Sequence, residues 1–197
     1  VILNGRTEGK IDHGLRIKTS NDNQYKIMSV GRFEPYKRHE FLFEIVKNTV
    51  DLRLSLVTDA AGKKYVESNL GQLVKSGRIE VFVKKSPQEM IELYRSSDCY
   101  VQTSLYEGYC LPAAESMSHG TPVIYQSGSA IDEVCGDKVN QPMPLSATAS
   151  DWGRSIRRLS QDSRKPQYAS EMSAHFAGLN TWKEAANQLN SVYNEFT

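Results

Sequence analysis

Apolar runs of four or five residues, each followed by a stretch of helical periodicity, limit this chain to a small set of folds. The runs cover residues 26–30, 54–57, 79–83, 99–102 and 122–125. Residues 38–48 set Phe41, Leu42, Ile45 and Val46 along one side of a helix, and residues 61–75 read as a second helix stopped by Gly77. Ser86 opens a third over residues 87–95, with Pro87 in the first turn and Glu89 completing a Ser-x-x-Glu box. Alternation of this kind implies an α/β fold, a Rossmann-like parallel sheet flanked by helices. Residues 1–24 are polar and broken by Gly5, Gly9 and Gly14, so they read as a linker. Residues 25–197 then form one domain, long enough for a full core. Residues 140–144 read as an extended connector. Helices are expected over 149–162, 166–175 and 181–195, the last amphipathic through Trp182, Ala186, Leu189, Val192 and Tyr193.

Charge excludes some partners. With 24 basic and 23 acidic residues the chain carries about +1, so no bulk field draws nucleic acid or an acidic membrane, and any cationic site is local. Cys99, Cys110 and Cys135 are odd in number and lack C-x-x-C spacing. That argues against a disulfide framework or a zinc site and suits a reducing compartment, so a cytoplasmic location is expected. His13, His39, His119 and His175 are scattered and suggest no metal pair. No run approaches the roughly 20 apolar residues of a membrane span, and the charges that follow Val1-Ile-Leu-Asn-Gly5 give no signal peptide. Peripheral membrane association through a missing region stays open.

The chemistry concentrates in Glu107-Gly-Tyr-Cys-Leu-Pro-Ala-Ala-Glu115. The apolar run 99–102 leads through a polar loop into a helix that Pro112 suits at its first turn and that stops near Gly120. Gly108 lets backbone approach a ligand, and the N–H groups of Gly108, Tyr109 and Cys110 can hold an anion. Two carboxylates beside those donors can grip hydroxyls, so a diphosphate with sugars on both sides fits. The same residues also read as a loop carboxylate and a surface helix residue. Gly31, Arg32 and Lys37 follow the first run, where ligands sit in open α/β sheets. Arg grips phosphate with paired hydrogen bonds and Lys adds a compact charge, although with Arg38 they also read as a solvated basic turn. Lys84 and Lys85 read either way too. Cys110 has no His or Asp at motif spacing to activate it, so a nucleophilic role is not expected. Leu93, Tyr94 and Asp98 read as packing and capping residues.

Residues 107–115 resemble the E-x7-E motif of retaining glycosyltransferases, family 4 in particular, which join two Rossmann-like domains in the GT-B fold. Further blocks of the resemblance are Val30-Gly-Arg-Phe-Glu-Pro-Tyr-Lys37, Leu93-Tyr-Arg-Ser-Ser-Asp98, Gly120-Thr-Pro-Val-Ile124, Glu133-Val-Cys-Gly-Asp137 and Trp182. They match only the family's C-terminal, donor-binding domain, so the resemblance implies one half of a GT-B fold whose N-terminal acceptor domain is missing from this chain. It implies that Gly31, Arg32 and Lys37 meet the donor's diphosphate and that Val83 meets the nucleobase. Glu107 would hold hydroxyls of the transferred sugar and Glu115 the ribose, with Gly108, Tyr109, Cys110 and Leu111 lining the donor. This chain has Cys110 where glycine is common, Lys84-Lys85 in place of a glycine-containing turn, and Thr58-Asp-Ala-Ala-Gly62 in place of a Gly-x-Gly turn.

The expected activity is transfer of a hexose, with retention, from a nucleotide-diphospho-sugar to a glycan, a lipid-linked or another hydroxyl acceptor bound through the missing domain. No cofactor and no obligatory metal are implied, the donor being a substrate. Arg32, Lys37 and the helix start would stabilise the departing diphosphate, while Glu107 orients the sugar. The chain alone is expected to bind donor weakly and transfer nothing. Three other readings compete: a non-catalytic nucleotide-sugar-binding or scaffold domain; a GT-B epimerase, which needs acid and base residues this half lacks; and a receiver-like module, which needs acidic residues where Gly31 and Arg32 stand.

Overall fold

The computed structural model describes residues 24–136, 140–161, 171, 175 and 181–194. The linker expected over 1–24 lies outside them except for its last residue, as does nearly all of the helix expected over 166–175. Six parallel strands form one sheet: β1 (Tyr25–Val30), β2 (Leu52–Val57), β3 (Ile79–Phe82), β4 (Cys99–Gln102), β5 (Val123–Gln126) and β6 (Gln141–Met143), in the order β3-β2-β1-β4-β5-β6. The connections are α1 (His39–Asn48), α2 (Ala60–Asn69), α3 (Gly71–Lys75), α4 (Pro87–Ser96), α5 (Leu111–Ser118) and α6 (Ile131–Cys135). Helices α7 (Ala149–Gln161) and α8 (Trp182–Asn194) follow.

Strand side chains alternate between faces, and the core divides accordingly. Ile27, Leu54, Leu56, Cys99, Val101 and Ile124 pack with Leu42, Phe43, Ile45 and Val46 of α1 and with Trp152 and Ile156 of α7. Met28, Tyr100, Val123 and Tyr125 point the other way, onto Tyr94 of α4, Ala113, Ala114 and Met117 of α5, and Ile131 and Val134 of α6. A sheet covered on both faces explains why its strands read as continuous apolar runs. Trp152 is fully buried with its ring edge-on to Phe41. Arg157 clamps Asp51 through Nε (2.8 Å) and Nη2 (2.7 Å), tying α7 to the turn before β2.

Three expectations change. The helix of residues 61–75 is two helices, because Leu70 leaves helical geometry (φ −125°, ψ 23°) and drives its side chain into the core, and Gly71 does little to oppose the break. Residues 140–144 hold a strand, in which Ile124 to Gln126 pair with Gln141 to Met143. Pro142 is tolerated there because β6 is an edge strand. Buried Asn140 fixes its start, accepting from Val123 N (2.9 Å) through Oδ1 and donating to the Cys135 carbonyl. The apolar stripe of α8 faces solvent, with Trp182 51% and Tyr193 63% exposed and only Ala185 buried. No helix among the described residues is long and apolar enough to cross a membrane.

Candidate functional site

Sheet order reverses between β1 and β4, and the loops leaving their carboxyl ends meet at the position where open α/β sheets bind ligands. The first wall is residues 31–38. Gly31 N–H extends the β1–β2 ladder to the Val57 carbonyl (3.0 Å). Phe33 N–H then donates to Asp59 Oδ2 (3.2 Å), while Asp59 Oδ1 caps α2 by accepting from Gly62 N–H (2.9 Å). One carboxylate thus sets both the start of α2 and the backbone next to Arg32. Gly62 sits so close that a Cβ would stand 2.4 Å from Thr58 Oγ1 and 3.1 Å from Phe33 Cβ. Gly62→Ala is expected to cost about 1–3 kcal/mol by overpacking, against a helix-propensity gain of about 1 kcal/mol, as read by urea denaturation.

The second wall is residues 103–110. Thr103 Oγ1 bonds the Lys37 carbonyl (2.9 Å), Leu105 N–H bonds the Tyr36 carbonyl (2.8 Å), and the Tyr36 and Tyr106 rings stack at 4.7 Å. The walls meet in an ion pair, Lys37 Nζ to Glu107 Oε1 at 2.7 Å, with side chains only 15% and 10% exposed. Gln102 Nε2 reaches the same Oε1 (2.5 Å), and Glu107 N–H is held by Ser129 Oγ (3.1 Å). Arg32 differs: its carbonyl accepts from Glu34 N–H (2.9 Å), but its side chain is exposed and makes no hydrogen bond or ion pair with any described residue.

Among the described residues, two non-glycines have positive φ, and one lies on each wall: Arg38 (52°), next to Lys37, and Cys110 (68°), the residue capping α5. Such geometry costs of order 1–3 kcal/mol and tends to collect at functional sites. It also explains why glycine suits position 110. The Cys110 thiol is pushed up to about 12, by burial first and by the Glu107 charge second, so it stays protonated and unreactive.

The helix start narrows the expected anion donors. Pro112 has no N–H, and the amides of Ala113 (3.0 Å) and Ala114 (3.3 Å) turn back to the Cys110 carbonyl. The amides of Gly108, Cys110 and Leu111 donate to no described residue. A Cβ on Gly108 would meet nothing within 4 Å, so the chain's own packing does not demand glycine there. Tyr109 is buried, in the cluster that holds Tyr94, Ala113 and Ile131. Glu115 is exposed and its Oε2 accepts from buried Tyr94 (2.8 Å); no hydrogen bond or ion pair joins it to Arg32, Lys37 or Glu107. Val83 is 45% exposed just past β3. Lys85 lies over the Phe82 ring (4.2 Å) and pairs with Glu89 (2.9 Å), which occupies it structurally. Among the described residues no group of His, Cys, Asp and Glu could hold a metal ion. Sequence reading passed over Tyr100, Gln102, Ser129 and the site role of Asp59; the one available signal was a polar Gln102 closing an apolar strand.

Buried His39 lies beside Phe33, the rings tilted at 43°, and behind Gly31. Burial first, and the Lys37 charge second, hold its pKa down to about 4, although Asp59 pulls it up. The folded chain therefore keeps His39 neutral while the unfolded chain takes a proton near 6.5, so its contribution to stability is present above pH 6.5 and is lost as pH falls toward 4. The expected loss is about 2 kcal/mol between pH 7 and pH 5, before the carboxylates titrate. Urea denaturation should show a clearly smaller loss in His39→Leu.

The chain resembles known proteins throughout. The profile of the family described as glycosyl transferases group 1 matches residues 13–175. A D-inositol 3-phosphate glycosyltransferase of Corynebacterium aurimucosum is 25% identical over 174 residues, which cover 83% of this chain and 41% of that protein. Sucrose-phosphate synthase of Thermosynechococcus elongatus superposes with a TM-score of 0.73 at 21% identity, over 88% of this chain and 45% of that one. The Anabaena protein Alr3699/HepE, solved in complex with UDP-glucose, gives 0.70 at 19% identity, over 86% and 49%. The chain thus spans less than half the length of these proteins. Its six-stranded sheet is a Rossmann-like half of a GT-B fold. With most of its length matched by the profile, this chain belongs to the glycosyl transferases group 1 family.

Proposed function

We propose that this chain is the donor-binding half of a retaining glycosyltransferase. It holds a nucleoside diphosphate hexose, and the protein that carries it passes the hexose to a hydroxyl of a glycan or lipid-linked acceptor. The supporting observation is the rim at the carboxyl ends of β1 and β4: an Arg32 guanidinium on one loop and three amides on the next, none paired with a described residue, and the Lys37–Glu107 pair between. A diphosphate calls for positive charge and several donors at once. As the glycosidic bond breaks, negative charge grows on the departing diphosphate, and Arg32, Lys37 and the amides would stabilise it. Val83 would meet the base and Glu115 the ribose, with Tyr94 steadying the Glu115 carboxylate. Transfer is proposed to proceed with retention, the donor phosphate taking the acceptor's proton on the same face, and without a resident metal. UDP-glucose bound by the Anabaena relative favours this donor class.

A thermal-shift panel of UDP-, GDP- and ADP-linked glucose and mannose tests the reading. A bound donor at 100 times its Kd adds about 2.7 kcal/mol of stability, so one nucleotide class should raise Tm by several degrees. Failure of every donor to move Tm at millimolar concentration would refute it.

A further inference from the structure

The Glu107 carboxylate is reached from inside the sheet by a chain of buried side chains. Tyr100 is 0% and Gln102 3% exposed. The Tyr100 hydroxyl donates to Gln102 Oε1 (2.5 Å), and Gln102 Nε2 donates to Ser104 Oγ (2.6 Å) and to Glu107 Oε1 (2.5 Å). A tyrosine hydroxyl has one proton, and the Val30 carbonyl at 3.3 Å is the poorer acceptor. The Glu107 carboxylate, which can only accept, and the Tyr100 hydroxyl, which donates, together fix which way the amide points: its oxygen faces the phenol and its nitrogen faces the carboxylate. A reversed amide would press oxygen against oxygen. Burial raises the Tyr100 pKa well above its usual value, so the phenol remains a donor at any working pH.

Lys37 adds a second donor to the same atom (2.7 Å), so Oε1 is occupied twice, while Oε2 accepts from no described residue. We propose that Tyr100 and Gln102 are positioning residues that pin Glu107 by Oε1 and so present Oε2 to a hydroxyl of the donor sugar. This rests on the donor-site reading above. Lys37 alone would not suffice, because an ammonium on a four-carbon stem is a point charge that swings. A buried amide that accepts from the phenol and donates to the carboxylate fixes direction as well as distance.

The test uses the whole protein that carries this chain and two ligand pairs, UDP with UDP-glucose and GDP with GDP-mannose. Calorimetry gives Kd for each, and the ratio within a pair reports what the sugar contributes. Gln102→Leu is expected to weaken the nucleotide-sugar roughly tenfold while leaving the bare nucleotide within twofold, and Tyr100→Phe, a gentler change, to weaken it about threefold. Gln102→Glu sets two carboxylates together at pH 8 but can donate once protonated, so its sugar preference should recover as pH is lowered to 6. A purely structural role would weaken both ligands together, with no recovery. That result would overturn the proposal, as would an unchanged ratio in Gln102→Leu or a wild type that binds nucleotide and nucleotide-sugar equally. A wild type that binds neither nucleotide brings down the donor-site reading itself, a different failure.

Discussion

Arg32→Ala should weaken binding of the nucleoside diphosphate roughly ten- to a hundredfold and leave folding stability unchanged. The first half follows from chemistry, since charge-assisted hydrogen bonds to phosphate are worth about 1.5–3 kcal/mol and a guanidinium can make two in parallel. The second follows from structure, since an exposed side chain with no described partner takes nothing from the fold when removed. Arg32→Lys keeps the charge but loses the fork and should fall between the two. Lys37→Ala cannot separate binding from folding so cleanly, because it strips the cation from a Glu107 that is only 10% exposed. Titration of each variant with the donor base that stabilises the wild type, beside urea denaturation, gives both numbers. Wild-type affinity in Arg32→Ala would remove that residue from the phosphate site.

Local rules made much of this visible in the sequence. The run 99–102 is strand β4 to the residue, and the Ser86–Glu89 capping box forms, with Ser86 N–H bonding Glu89 Oε2 at 2.8 Å. Both depend on neighbours in the chain. Strand β6 was hidden because Gln141, Pro142 and Met143 carry no apolar period; it exists through pairing with β5 and through Asn140, which are contacts across the fold. The break at Leu70 likewise comes from the core. At the site, the E-x7-E spacing and the Arg32 and Lys37 positions were legible, but three things were not. The meeting of Lys37 and Glu107 across 70 positions is set by sheet order. The inward path from Tyr100 through Gln102 to Glu107 depends on which face of β4 each side chain takes. The positive φ at Cys110 is a backbone state that a cysteine codon does not announce.

Glu107→Gln should lower sugar transfer by the whole protein roughly a hundredfold or more while leaving nucleoside diphosphate affinity within a few-fold. Glutamine keeps the shape and an oxygen that can accept from Gln102 and Lys37 as Oε1 does now, so the two loops should stay joined. What it removes is the charge. A carboxylate oxygen is a stronger acceptor than an amide oxygen, and under the proposed function it would bear on the sugar as that ring turns positive in the transition state, with the diphosphate held by other groups. The loss should therefore fall on turnover, measured as nucleoside diphosphate released from the stabilising donor, and little on binding of the bare nucleoside diphosphate. The same assay divides an enzyme from a binding module built on this fold: a module has no turnover to lose, and its wild type and variant would be alike. If Glu107→Gln turned over at the wild-type rate, Glu107 would be reduced to the structural partner of Lys37, and the catalytic role would have to pass to another group at this rim.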